Sequence, residues 1–321
     1  MNRRTFLGIA ATAAAVDIDM STKTTSIPII DTHIHLFDPW RPKGIPWPPK
    51  DDTKLYKPAL PERYLKVTEG QSIVGAIEVE CSPRLEDNQW VLDTAANAPV
   101  MVGMVGDLEP ERADFPKQLE RFHRNPLFLG IRCGNLWGRN ISRQLGNPDF
   151  VRGLKELADA RLEMDTANPD PELIAAVVRL TDLVPNLRIV IDHLPQMKEP
   201  TEPRAKKELE ANLLELGKRP QVYVKVSEVL QRLDGRLRLD LNVYKPTLDR
   251  LWDIFGENRL IYGSDWPNSD HIEEYPQELT LVRKYLFGKG RVAAEKVLWK
   301  NSVAAYRWKR RDPKQPDPSA A

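Results

Sequence analysis

The chain reads as a single (β/α)8 barrel, an α/β fold of the TIM type, and three observations lead there. Eight short, β-rich apolar runs each give way to a loop and then to a helical pattern. Strand alternating with helix means parallel strands joined by crossovers, and eight such units close on one another. Most of the runs end in a polar or charged residue, although buried parallel strands should be apolar throughout. No Gly-x-Gly-x-x-Gly follows the first run, which weakens the rival, a doubly wound open sheet.

In chain order, strands are expected at 27–33, 73–80, 100–107, 128–132, 161–165, 187–193, 222–227 and 259–265. Helices are expected near 61–70, 85–97, 110–124, 148–160, 171–184, 202–218, 245–256 and 275–307. The residues closing the strands are His33 with His35, Glu80, Arg132, Asp165, His193, Ser227 and Asp265. In a parallel barrel those ends share one rim, where barrel enzymes carry their sites. Within the first strand, alternation places His33 and His35 on one face, able to hold a metal or polarise one substrate oxygen.

Long loops follow strands one, seven and eight. The stretch 36–60 holds six prolines along with Trp40 and Trp47 directly after the histidine pair. It is either a stiff wall of the pocket or a surface insertion.

The chain divides into a start at 1–26, the barrel at 27–308 and a tail at 309–321. Asn2-Arg3-Arg4-Thr5-Phe6-Leu7-Gly8, followed by the small apolar stretch 9–16, reads as a twin-arginine export signal. That predicts a periplasmic or exported protein, with a disordered basic start and a cytoplasmic protein as the alternative. The tail is Pro-rich and polar, and disorder is expected there.

With 321 residues, 41% of them hydrophobic, the chain can bury a large core. Basic and acidic residues nearly cancel, 47 against 46, so nothing draws the chain to nucleic acid or to an anionic membrane. No run approaches the roughly 20 apolar residues of a membrane span. The expected partner is a small-molecule substrate, with self-association left open. Cys81 and Cys133 fall on strands that are not neighbours and are read as free thiols. Neither they nor any Gly-x-Ser-x-Gly elbow points to covalent catalysis.

The stretches Ile30-Asp31-Thr32-His33-Ile34-His35-Leu36-Phe37-Asp38-Pro39, Ile191-Asp192-His193-Leu194-Pro195 and Tyr262-Gly263-Ser264-Asp265-Trp266-Pro267 resemble, in this order, the amidohydrolase superfamily. The nearest branch is the amidohydrolase-related one, which holds sugar-lactone hydrolases, 2-pyrone-4,6-dicarboxylate lactonase-type hydrolases and some decarboxylases. Trp299-Lys300-Asn301-Ser302 resembles that family's closing helix, and the likeness spans about 27–308.

The resemblance implies a hydrolase that attacks a small lactone with activated water. Asp265 is then the general base, and His33, His35 and His193 polarise the carbonyl. The same four residues would ligate one divalent metal, zinc first, if one is bound. The bridging lysine of strand four and the histidine of strand five that binuclear members carry are missing, so a binuclear centre is not expected. Arg132 and Arg139 are candidate clamps for a substrate carboxylate or lactone oxygen. Glu80 and Asp165 are further substrate-binding candidates, and Lys225 and Ser227 are read as contacts or scaffolding. The alternative reading is a metal-dependent decarboxylase of an aromatic or muconate-type acid on the same barrel.

Overall fold

The computed structural model describes residues 26–272 and 274–321. The twin-arginine stretch lies outside them. Eight parallel strands follow one another in sequence order: β1 (Ile29–Ile34), β2 (Ile73–Val79), β3 (Met101–Gly106), β4 (Phe128–Arg132), β5 (Glu163–Asp165), β6 (Arg188–Ile191), β7 (Val222–Val226) and β8 (Leu260–Tyr262). The ring closes where Ile34 pairs with Trp266. His35 N donates to Trp266 O at 2.7 Å, and Asp265 N donates to His33 O at 2.8 Å. The predicted barrel is the observed one.

Helices on the outside separate the strands, and many start on a proline. Pro61, Pro148, Pro171 and Pro203 each open a helix, where the missing N–H costs nothing. Asn147 and Asp170 cap two of these by accepting from Asp149 N and Leu173 N. Two helical expectations shift. The helix expected from 245 begins at Leu241, because Asp240 caps it and tolerates Pro246 inside. The long helix expected at 275–307 breaks after Gly288, where Gly290 takes φ +104°. It resumes as Arg291–Glu295, a π-helical turn at Lys296–Lys300 and Asn301–Tyr306.

The expectation of a disordered tail is corrected. Arg311 donates to the carbonyls of Ala95, Ala96, Ala98 and Met101, at the end of helix Leu85–Ala96 and the start of β3. Gln315 is buried and donates to Val74 O at 3.0 Å and Pro99 O at 2.8 Å. A helix C-terminus leaves carbonyls unpaired and carries partial negative charge, so a guanidinium there is held from two sides. The tail therefore straps the N-terminal end of the barrel, opposite the rim.

At the rim, the loop after β1 folds back so that Trp47 stands edge-on to His35, ring centroids 5.5 Å apart. Of the two readings of that loop, Trp47 fits the wall, while Trp40 is exposed. Cys81 and Cys133 are free and buried. Among the described residues no helix is long and apolar enough to cross a membrane.

Candidate active site

His33 lies on β1 and His35 just beyond it, their rings 5.0 Å apart and nearly perpendicular. His193, Glu228 and Asp265 come shortly after β6, β7 and β8, with φ of +51°, +49° and +59°. L-residues with Cβ seldom adopt that region, and such strain concentrates at functional sites. Here it turns each chain sharply off its strand. Three imidazoles converge on one oxygen: Asp265 Oδ1 lies 3.0 Å from His35 Nε2, 3.3 Å from His33 Nε2 and 3.8 Å from His193 Nε2. The other oxygen, Oδ2, accepts from Asn268 Nδ2 at 2.7 Å. His193 is fixed in turn by Ser227 Oγ, 2.8 Å from Nδ1.

The electrostatics keep the Asp265 carboxylate ionised. Burial pushes the Asp265 carboxyl up, but the charge of His193, the His35 hydrogen bond and His33 more than reverse this, leaving it well below the usual carboxylate range. Burial lowers His193 to about 4 despite the pull of Asp265 and Asp192. Burial and the charge of Lys225 hold His33 well below its ordinary value.

Beneath the histidines sits a closed ionic layer. Lys225, fully buried on β7, bonds to Asp165 Oδ2, lies 2.9 Å from Asp192 Oδ1 and meets His33 Nδ1 at 3.1 Å. Tyr306 donates to Asp165 Oδ1 at 3.0 Å, and Asp165 is pushed up to about 6, chiefly by burial. This layer corrects the expectation that Asp165 binds substrate. Its carboxylate is fully buried and already engaged from two sides.

The arginine expectations change as well. Arg139 is tied to Asp107 with Glu80 nearby, and it does not line the cavity that His35, His193 and Asp265 line. Arg132 does line it, but its guanidinium donates to Glu80 O at 3.1 Å and pairs with Asp192 Oδ2 at 3.4 Å. Glu80 accepts from Trp137 Nε1 and Ser82 N, both at 3.0 Å, which makes it a brace for the indole. The structure thus gathers His33, His35, His193 and Asp265, keeps Arg132 at the edge, and leaves Arg139 and Asp165 outside.

The cavity measures about 170 Å³ and is lined by His35, His193, Asp265, Trp47, Trp137 and Glu228, among others. Glu228, Asn268 and Trp137 escaped the sequence reading. Asn268 Nδ2 bridges Asp265 to Glu228, 3.1 Å from Glu228 Oε1. Only the position of Glu228 directly after a strand-end serine hinted at it.

His33, His193 and Asp265 bring ligand atoms within 4.8 Å of one another, and His33 Nε2 is buried with no hydrogen-bond partner. That group is a candidate cation site. As arranged, however, it does not fit. A ligating imidazole offers a lone pair and carries its proton on the other nitrogen, which it gives to an acceptor. On His33 that other nitrogen faces the Lys225 amine. His35 has the ligand-like orientation, Nδ1 lying 2.7 Å from Val79 O, yet among the described residues it belongs to no such close set.

An eight-stranded barrel with a His-x-His at β1, a histidine after β6 and an aspartate after β8 defines a recognisable class. A family model described as amidohydrolase matches residues 30–308, and the chain belongs to that family. It is 28% identical over 254 residues to an L-fucono-1,5-lactonase of Burkholderia ambifaria, covering 77% of this chain and 83% of that one. A zinc-bound amidohydrolase from Burkholderia multivorans superposes with a TM-score of 0.75 at 21% identity, over 88% of this chain and 99% of that one. A probable 2-pyrone-4,6-dicarboxylic acid hydrolase from Acinetobacter baumannii, solved with citric acid, gives 0.69 at 18%, over 87% and 99%. At those identities the two structures bear on the fold alone.

Proposed function

We propose that the protein hydrolyses a small, uncharged, polyhydroxylated lactone, the cyclic ester of a sugar acid. The convergence of three imidazoles on Asp265 Oδ1 carries the reading. A carboxylate kept ionised in a buried site is placed to take a proton from water as the water attacks a carbonyl carbon. His193 and Arg132, both lining the cavity, flank the place where the carbonyl oxygen turns negative and supply donors that need no reorganisation. Asp265 then returns the proton to the departing ring oxygen, which becomes the hydroxyl of the opened acid.

The choice of lactone follows from the lining. Arg132 is its one cationic side chain, and Asp192 already neutralises it. A dicarboxylate substrate would meet the ionised Asp265 with no uncommitted positive partner. Trp47 and Trp137 offer flat apolar faces, and Asn168, Gln196, Glu228 and Asn268 offer groups for hydroxyls. The volume is below the roughly 300–1,000 Å³ of sites for drug-sized ligands, which suits a small metabolite. The L-fucono-1,5-lactonase relative, a lactonase by name, supports the same class.

The test is acid release from a panel of sugar lactones and dicarboxylate lactones, before and after chelation. Turnover of sugar lactones that survives chelation is expected. Release of carbon dioxide from aromatic acids, with no acid from any lactone, would replace this reading with the decarboxylase.

A further inference from the structure

We propose that Lys225 is a positioning residue: it fixes His33 in the tautomer that carries its proton on Nε2, the ring nitrogen on the side of Asp265 Oδ1. The relay runs across the barrel from β7 through β1 to the turn after β8.

Lys225 Nζ is buried between two carboxylates, Asp165 and Asp192, and between such partners it is an ammonium with donors only. Its third neighbour is His33 Nδ1 at 3.1 Å. If Nδ1 carried a hydrogen, in the neutral ring or the imidazolium, two N–H groups would point at each other inside a dry core. The rival acceptor for such a hydrogen, Asp192 Oδ1, lies 3.6 Å away, beyond hydrogen-bond range. Nδ1 is therefore the acceptor, and the ring proton sits on Nε2.

Nε2 is buried, and the nearby oxygen is Asp265 Oδ1 at 3.3 Å. His33 itself is fully buried and does not line the cavity. Its work is then on Asp265 and not on substrate: the positive N–H edge of the ring lies 3.3 Å from one carboxylate oxygen and favours its charge. His35 has different surroundings: it meets an acceptor at each nitrogen, Val79 O 2.7 Å from Nδ1 and Asp265 Oδ1 3.0 Å from Nε2. The two histidines of one His-x-His thus differ at Nδ1, which meets a donor, Lys225, on His33 and an acceptor, Val79 O, on His35. Nothing in this depends on which substrate the site takes.

Nitrogen-15 NMR of the imidazoles in the chelator-treated full-length protein tests this, with peaks assigned by single His33 and His35 variants. His33 should show a pyridine-like Nδ1 and a pyrrole-like Nε2, and His35 should show a pyrrole-like Nδ1. A pyrrole-like Nδ1 on His33 would overturn the proposal. Zinc chloride added to the same sample should leave the His33 pattern in place, and its reversal would likewise overturn it.

The double variant Lys225→Met/Asp165→Asn removes the cation together with one of its counter-charges. In the folded variant the His33 pattern should be lost, and kcat on any lactone the wild type turns over should fall about tenfold or more with KM kept. An unchanged His33 pattern there would show that Lys225 does not set it. If the wild type opens no lactone, the functional reading fails, while the NMR still decides the tautomer.

Discussion

Asp31 Oδ1 accepts a 2.8 Å hydrogen bond from Ser264 N, tying the strand that carries the histidine pair to the turn that carries Asp265. Oδ2 takes Tyr64 OH and Tyr275 OH, each at 2.9 Å, and Oδ1 also lies 3.2 Å from His33 N. The first residue of Asp-x-His-x-His is thus a fully buried staple with four donors and makes no contact with the cavity. Asp31→Ala leaves those donors buried and unpaired, which costs about 2–4 kcal/mol. The urea midpoint should drop with the slope of the transition unchanged. An unmoved midpoint would show that the staple contributes nothing to stability.

The Asp265 carboxylate is the proposed base, so Asp265→Asn should lower kcat by about 10²–10⁴-fold, the usual contribution of a positioned base. Asn keeps the shape and still accepts from Asn268, so circular dichroism and melting temperature should stay close to the wild type. Near-normal turnover in the folded variant would remove Asp265 from the chemistry.

How far the chain could be read in advance follows from what each residue owes to its neighbours. His33, His35, His193 and Asp265 were legible because each interrupts or follows an apolar run, and parallel topology sends all such ends to one rim. Lys225 sits mid-run in Val222-Tyr223-Val224-Lys225-Val226, and nothing local reveals that its partners lie on β1, on β5 and just past β6. Arg139 and Asp165 failed as substrate contacts for the same reason. Their counter-ions, Asp107 and Lys225, are remote in sequence and absorb their charge. Glu228 and Asn268 depend on left-handed turns that no pattern of apolar residues encodes. The tail misled through composition: a polar, proline-rich segment looks disordered until Arg311 meets four carbonyls.

Glu278 predicts a pH dependence of stability. Burial raises its carboxyl to about 8 from 4.5, outweighing the bond it accepts from Val229 N at 3.2 Å. The native state therefore keeps a proton that the unfolded chain releases above pH ~4.5. This contribution to stability is fully present below that value and declines as pH rises toward 8, by at most roughly 1.4 kcal/mol per unit. Asp107, raised to about 7, and Asp165 slope the same way, so the informative quantity is a difference. Glu278→Gln cannot ionise and should flatten part of the slope between pH 5 and 8 in urea titrations. Parallel slopes for the two proteins would mean that Glu278 titrates as an ordinary carboxyl.

Gly263 separates a structural consequence from a catalytic one. A Cβ built there would stand 2.8 Å from His33 Cβ and 3.3 Å from His33 N, because the chain leaving β8 passes directly against β1. His33 cannot give way: its ring is held between Lys225 and Asp265. Gly263→Ala must then move the turn carrying Asp265 away from the histidines. Overpacking of this kind costs about 1–3 kcal/mol. The larger effect falls on turnover, since displacing a reacting group by about 1 Å can cost on the order of 100-fold. The expected signature is a loss of kcat greater than the loss of stability explains, in a protein that is fully folded at the assay temperature. Turnover falling only in proportion to the unfolded fraction would mean that the turn absorbs the methyl group without moving Asp265.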